Sequence, residues 1–140
     1  MLETMARLEE LMQRTVVAAA PEDTIGEIAQ KMVDAGVGSA VVVDGGRLIG
    51  ILTERDLMRA VAGRVHASEA RVREWMTADP ITADASTHAT EAARIMLEHG
   101  FRHLPVVAGD RTVGIVSIRD VARWSMHVDP GSEQLGSDFP

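Results

Sequence analysis

A chain of 140 residues with 46% apolar and 25% charged side chains has the length and composition of one compact globular domain, which argues against a disordered chain. Cysteine is absent, which excludes disulfides, thiolate metal sites and cysteine nucleophiles. The net charge is −7, and Trp75, Trp124, Phe101 and Phe139 are the only aromatic residues, a poor match for a nucleic-acid surface.

Taken in chain order, Leu2, Met5, Leu8, Leu11 and Met12 form an apolar stripe suited to a short amphipathic helix, packed within the chain or across a dimer. The opening segment carries Glu3, Glu9 and Glu10 and has no apolar core of signal-peptide type. Apolar runs are short against the ~20 residues of a membrane helix, so a cytoplasmic protein without a membrane span is expected. A brief strand is expected at Val16, Val17 and Ala18. Thr24 and Glu27 then form a capping-box pattern opening a helix, with Ile25, Ile28, Ala29, Met32 and Val33 on one face and Gly36 as its left-handed cap. Residues 40–43 read as a strand, Asp44-Gly45-Gly46 as a hairpin turn and residues 47–52 as the returning strand. A last helix runs from near Thr53 to about Ala62.

The same order then repeats. Shifted by 64 residues, Gly50-Ile51-Leu52-Thr53-Glu54-Arg55-Asp56 falls on Gly114-Ile115-Val116-Ser117-Ile118-Arg119-Asp120, and Met12, Met32, Gly36 and Val42 fall on Met76, Met96, Gly100 and Val106. No gap is needed from 8–62 to 72–126. The expected organisation is therefore residues 1–62 as an N-terminal helix and first repeat, 63–71 as a linker, 72–126 as the second repeat and 127–140 as a flexible tail. One repeat buries too little surface to be comfortably stable alone, so the two are expected to pack about a pseudo-twofold axis.

The doubled signature Gly-hydrophobic-x-(Thr/Ser)-x-x-Asp resembles that of the cystathionine-β-synthase-type repeats, CBS domains, which occur in tandem as Bateman modules. Asp79-Pro80-Ile81-Thr82 and His103-Leu104-Pro105-Val106-Val107 extend the resemblance. It implies a mixed α/β (α+β) fold of two helix-β-α-β-β-α repeats in a stand-alone regulatory module. Thr53 and Ser117 stand where a strand gives way to a helix, whose free N–H groups favour an anion. Asp56 and Asp120, one turn on, can accept from the two hydroxyls of a ribose.

By the resemblance, one cleft between the repeats uses Ile51, Thr53 and Asp56 with Pro80, Ile81 and Thr82 opposite. The other uses Ile115, Ser117 and Asp120 with Val16, Val17 and Ala18. Arg102 and His103 would face the phosphates. Ligands so implied are AMP, ADP or ATP, and also NAD or S-adenosylmethionine. No cofactor is required; an adenine nucleotide would act as regulatory ligand, with a homodimer and an unknown effector protein as partners. The first copy has Gly38-Ser39-Ala40-Val41 where the second has Arg102-His103-Leu104-Pro105, so unequal affinities are expected.

Plainer readings stand beside these. Thr53 with Asp56, and Ser117 with Asp120, can be helix caps alone. His103 can be a solvated strand-edge histidine, and Arg102 can simply pair with Glu98. Neither a catalytic constellation nor metal-ligand spacing is present in the sequence. The rival function is a constitutive dimeric scaffold with empty clefts.

Overall fold

The computed structural model describes residues 6–127, so the expected tail beyond His127, and Leu2 and Met5 of the leading stripe, lie outside the described residues. Among the described residues a 3-10 turn, Leu8–Glu10, comes first. It is followed by β1 (Ala18–Ala19), α1 (Ile25–Ala35), β2 (Ser39–Asp44), β3 (Arg47–Thr53), α2 (Glu54–Ala62), α3 (Val72–Trp75), β4 (Thr77–Ala78), β5 (Ala83–Asp84), α4 (Ala89–His99), β6 (His103–Ala108), β7 (Arg111–Ser117) and α5 (Ile118–His127). This is the mixed α/β architecture in two copies.

Local chemistry explains the main boundaries. The Thr24 hydroxyl accepts from Glu27 N at 3.2 Å, and the Glu27 carboxylate accepts from Thr24 N at 3.1 Å, closing the capping box that starts α1. Gly36 ends α1 in the left-handed region at φ 68°. Gly45 and Gly46, at φ 58° and 79°, form the two-residue turn joining β2 to β3. The face of α1 departs from the expected stripe at one residue: Ile25, Ile28 and Met32 are buried, but Val33 is 74% exposed. At 3.6 residues per turn Val33 lies about 80° around the helix from Ile25, at the edge of the stripe.

One sheet has the strand order β1-β2-β3-β4, with β1 parallel to β2 and the other pairs antiparallel. The other has the order β5-β6-β7, with β5 parallel to β6. The first strand of the first repeat is shifted from its expected place, running over 18–19 instead of 16–18, and its counterpart in the second repeat runs over 83–84. Val17 touches the ladder only through its carbonyl, which accepts from Val41 N at 2.9 Å.

The chain forms two compact units that are not the two sequence repeats. Among the described residues, one consists of Thr15–Ile81 with Asp110–Thr112; the other holds 6–14, Thr82–Gly109 and 113–127. Each unit thus takes its short leading helix from the stretch preceding the other repeat. In the first unit, Val72 of α3 is fully buried among Ile28, Met32, Val42 and Leu52. In the second, Leu8 is fully buried among Met96, Leu104, Val106 and Val116. Both cores are aliphatic, with Trp75 and Trp124 only partly buried against them.

Matching contacts hold the two leading helices. The Arg71 guanidinium donates to Glu22 O at 3.0 Å, and the Glu74 carboxylate accepts from Arg71 N. Arg7, 64 positions earlier, donates to Ser86 O at 2.7 Å, and Glu10 accepts from Arg7 N. The expected linker is also built into its unit: Gly26 N donates to Ala67 O and Ile25 N to Ala70 O.

The next residues of each leading segment cross the signature glycine. Gly50 pairs with Ala78 and Ile51 with Thr77. In the second unit Gln13 and Ile115 exchange both backbone hydrogen bonds, at 2.8 and 3.0 Å. A Cβ on Gly114 would sit 2.7 Å from Met12 Sδ and 2.8 Å from Gln13 O; on Gly50 it would sit 2.6 Å from Met76 Sδ. Real carbon contacts lie near 3.5–4.0 Å. The glycine of the signature is therefore required by backbone packing, before any question of ligand.

Candidate functional site

Two carboxylates stand out among the buried residues. Asp56 is 3% exposed and Asp120 7%. Each lies in the first turn of the helix that follows the last strand of its repeat, α2 and α5. A buried carboxylate must be hydrogen-bonded to be tolerated, and both are.

The Oδ2 atom serves the helix cap in both copies. Asp56 Oδ2 accepts from Thr53 N at 2.9 Å and from Thr53 Oγ1 at 3.1 Å, while Asp56 N donates back to Thr53 Oγ1 at 3.3 Å. Asp120 Oδ2 accepts from Ser117 N at 2.8 Å, and Asp120 N donates to Ser117 Oγ at 3.0 Å. The structural reading of these motifs is thus fulfilled in both units.

The Oδ1 atom distinguishes the copies. Asp56 Oδ1 accepts from Arg59 Nη2 at 2.9 Å, an ion pair one turn apart on α2. Asp120 Oδ1 accepts from the side-chain amide of Gln13, Nε2 at 3.2 Å. Arg59 and Gln13 are both exposed. An ionised carboxylate has about four acceptor positions, so the caps and these partners leave capacity on each group. Neither Arg59 nor Gln13 was singled out in the sequence. The recurrence of arginine at 59 and 123 was a visible signal for the first, whereas Gln13 is joined to Asp120 only by the long-range bridge to Ile115.

The other expected site residues are placed as follows. Ile51, on β3, is buried, and Val17 packs against the same unit's core. Val16 is half-buried and Ala18 exposed in that unit. Pro80 and Ile81 follow β4 there, after Asp79, which sits in the left-handed region at φ 49° and donates its N–H to Ile49 O at 3.1 Å. Ile115, Ser117, Asp120 and Thr82 belong to the other unit, with Ile115 buried. Arg102 is exposed and His103, opening β6, is half-buried. Glu98 bonds Arg94 at 2.7 Å, so the expected pairing of Arg102 with Glu98 is replaced by an i, i+4 pair within α4. Among the described residues no cluster of three or more His, Asp or Glu could hold a metal ion, and no helix is long and apolar enough to cross a membrane.

Two tandem βαββα units, each ending in a capped Thr/Ser-x-x-Asp helix start, define a repeat-pair module. The CBS domain family model matches residues 8–63 and 72–127, and the chain belongs to the CBS-domain proteins. It is 39% identical over 124 residues to a 17.7 kDa protein of Acidianus ambivalens, spanning 87% of this chain and 74% of that one. A CBS domain protein from Pyrobaculum aerophilum complexed with AMP is 33% identical at a TM-score of 0.76, covering 82% of this chain and 89% of the other. The CBS domain pair of protein MJ0100, in complex with 5′-methylthioadenosine and S-adenosyl-L-methionine, is 25% identical at a TM-score of 0.81, covering 89% and 99%.

Proposed function

We propose that this chain is a regulatory module that binds an adenosine-containing ligand at the Asp56 and Asp120 carboxylates and passes the bound state to a separate effector protein. One observation carries the reading. In both copies a buried carboxylate is pinned by a helix cap through one oxygen, while the other oxygen meets only an exposed side chain that a ligand can replace. A pinned carboxylate whose second oxygen has a replaceable partner is suited to accept from a ribose diol without reorganising the fold. Relatives bound to AMP, and to S-adenosylmethionine with methylthioadenosine, support an adenosine ligand class. Thr53 and Ser117 add hydroxyls, and Arg102 and His103 add the basic groups for phosphate or sulfonium-side carboxylate contacts.

Signalling then requires that ligand bind one conformation better than another, since only differential affinity shifts an equilibrium. The exposed apolar residues Val33, Met58, Val61 and Leu97 on the helices are the candidates for association with a second copy. Light scattering at micromolar concentration tests that homodimer, and a monomer mass removes it.

The competing reading, a constitutive scaffold, is favoured by the complete caps at Thr53 and Ser117. A thermal-shift series with AMP, ADP, ATP, NAD and S-adenosylmethionine separates the two. Ligand at 100 times Kd stabilises by about 2.7 kcal/mol, and Asp120→Ala loses the part of that gain arising at its site. If no compound moves the melting temperature, the scaffold reading stands.

A further inference from the structure

The two carboxylates are not equally available, and the cause lies in two side chains outside the repeated signature. At Asp56 the second oxygen carries a charged partner: Arg59 Nη2 at 2.9 Å closes an ion pair with a carboxylate whose side chain is 4% exposed. At Asp120 the second oxygen carries a neutral partner, the Gln13 amide at 3.2 Å. Both bonds end on an ionised acceptor, but only Arg59 brings an opposite charge, and the added attraction is modest because its guanidinium is exposed.

The difference follows from the strands that cross the signature glycines. Thr77 pairs with Ile51, and Gln13, 64 positions earlier, pairs with Ile115. Glutamine reaches the carboxylate of its unit. At the equivalent position threonine stands instead, and Arg59 takes the oxygen from within α2. Arginine is also present at the position equivalent to 59, as Arg123, yet Asp120 bonds Gln13 and forms no ion pair with Arg123 among the described residues.

Resting on the reading of Asp56 and Asp120 as ribose carboxylates, we propose that Arg59 is a latch on Asp56 and that Gln13 keeps Asp120 unlatched. The Asp120 site then fills first. Gln13 gives up one weak donor bond, and its amide also carries an acceptor that can meet a ribose hydroxyl. Asp56 accepts from both ribose hydroxyls only when Arg59 leaves, because Thr53 N, Thr53 Oγ1 and Arg59 hold three of its roughly four acceptor positions. The pair is a two-threshold device, one site for low and one for high ligand concentration, set by residues 13, 59 and 77.

The test is isothermal titration of the full chain with AMP. Wild type is expected to bind at two sites whose affinities differ by up to about fivefold, the scale of one exposed ion pair. Asp120→Ala should remove the tighter site. Arg59→Ala should tighten the weaker site by up to about fivefold, bringing the two together, and Thr77→Gln should tighten it as well by drawing Asp56 off Arg59. An unchanged or weakened second site in Arg59→Ala overturns the latch while leaving the binding function intact. Heat from Arg59→Ala but none from wild type overturns the open Asp120 site, since that site needs no release of Arg59. Silence from wild type and both variants overturns the latch together with the binding reading. Arg59 is exposed, and Thr77→Gln supplies a second variant that adds a group without deleting one.

Discussion

Gly114→Ala probes the contact on which the second unit depends. The added Cβ would lie 2.7 Å from Met12 Sδ and 2.8 Å from Gln13 O. The methionine can swing aside, being long and flexible. The carbonyl cannot move freely, because Gln13 and Ile115 are joined by two backbone hydrogen bonds at 2.8 and 3.0 Å. Overpacking of this kind costs about 1–3 kcal/mol. Strain passed to the two hydrogen bonds adds to it, at about 0.5–1.5 kcal/mol for each bond lost. Alanine restricts the unfolded chain and returns about 0.4–1 kcal/mol. The expected net loss is about 2 kcal/mol, read as a lower urea midpoint and a melting temperature lower by roughly 5–10 °C. Gly45→Ala is the control: its Cβ would meet nothing within 4 Å, and it should lose only the ~1 kcal/mol of a left-handed backbone. Wild-type stability in Gly114→Ala, or a loss no larger than in the control, would refute the crossing of residues 12–13 over the signature glycine.

Three further outcomes are expected. Leu8→Ala, which empties a fully buried position, should cost about 2–5 kcal/mol, whereas Leu97→Ala, 73% exposed, should stay within about 0.5 kcal/mol; equal effects in urea melts would contradict the assignment of Leu8 to the second core. The backbone N–H of Thr24, and then its hydroxyl, hold the Glu27 carboxyl below its usual 4.5. A lowered folded-state value makes this contribution present above the unfolded value and lost as pH falls through the folded one. Wild type should therefore lose more stability than Glu27→Gln as pH falls below the usual 4.5, and parallel pH profiles would contradict the capping role. Thr24→Ala should destabilise by about 1 kcal/mol in the same melts, and no loss would show that the α1 cap is not formed in solution.

Much of this architecture was legible because its signals are local. The capping box at Thr24, the left-handed Gly36 and the Gly45-Gly46 turn are written in adjacent residues, and the doubled Gly-x-x-Thr/Ser-x-x-Asp put both buried carboxylates in view. What the sequence could not show depends on contacts far apart in the chain. The exchange of leading helices rests on Val72 packing with Leu52 in one core and Leu8 with Val116 in the other. No periodicity within a repeat reports that. The residues 63–71 look like a spacer by composition, yet their carbonyls receive the first N–H groups of α1. The second partner of Asp120 was hidden for a similar reason: Gln13 meets it across 107 positions.

The central claim is that each carboxylate one turn into its helix receives a ligand's ribose. A crystal structure of the chain grown with AMP tests it most directly. AMP is expected with its ribose hydroxyls within hydrogen-bond distance of Asp120, Gln13 displaced from Oδ1 and the Ser117 cap intact. AMP bound elsewhere, with the Gln13–Asp120 bond unbroken, would contradict it.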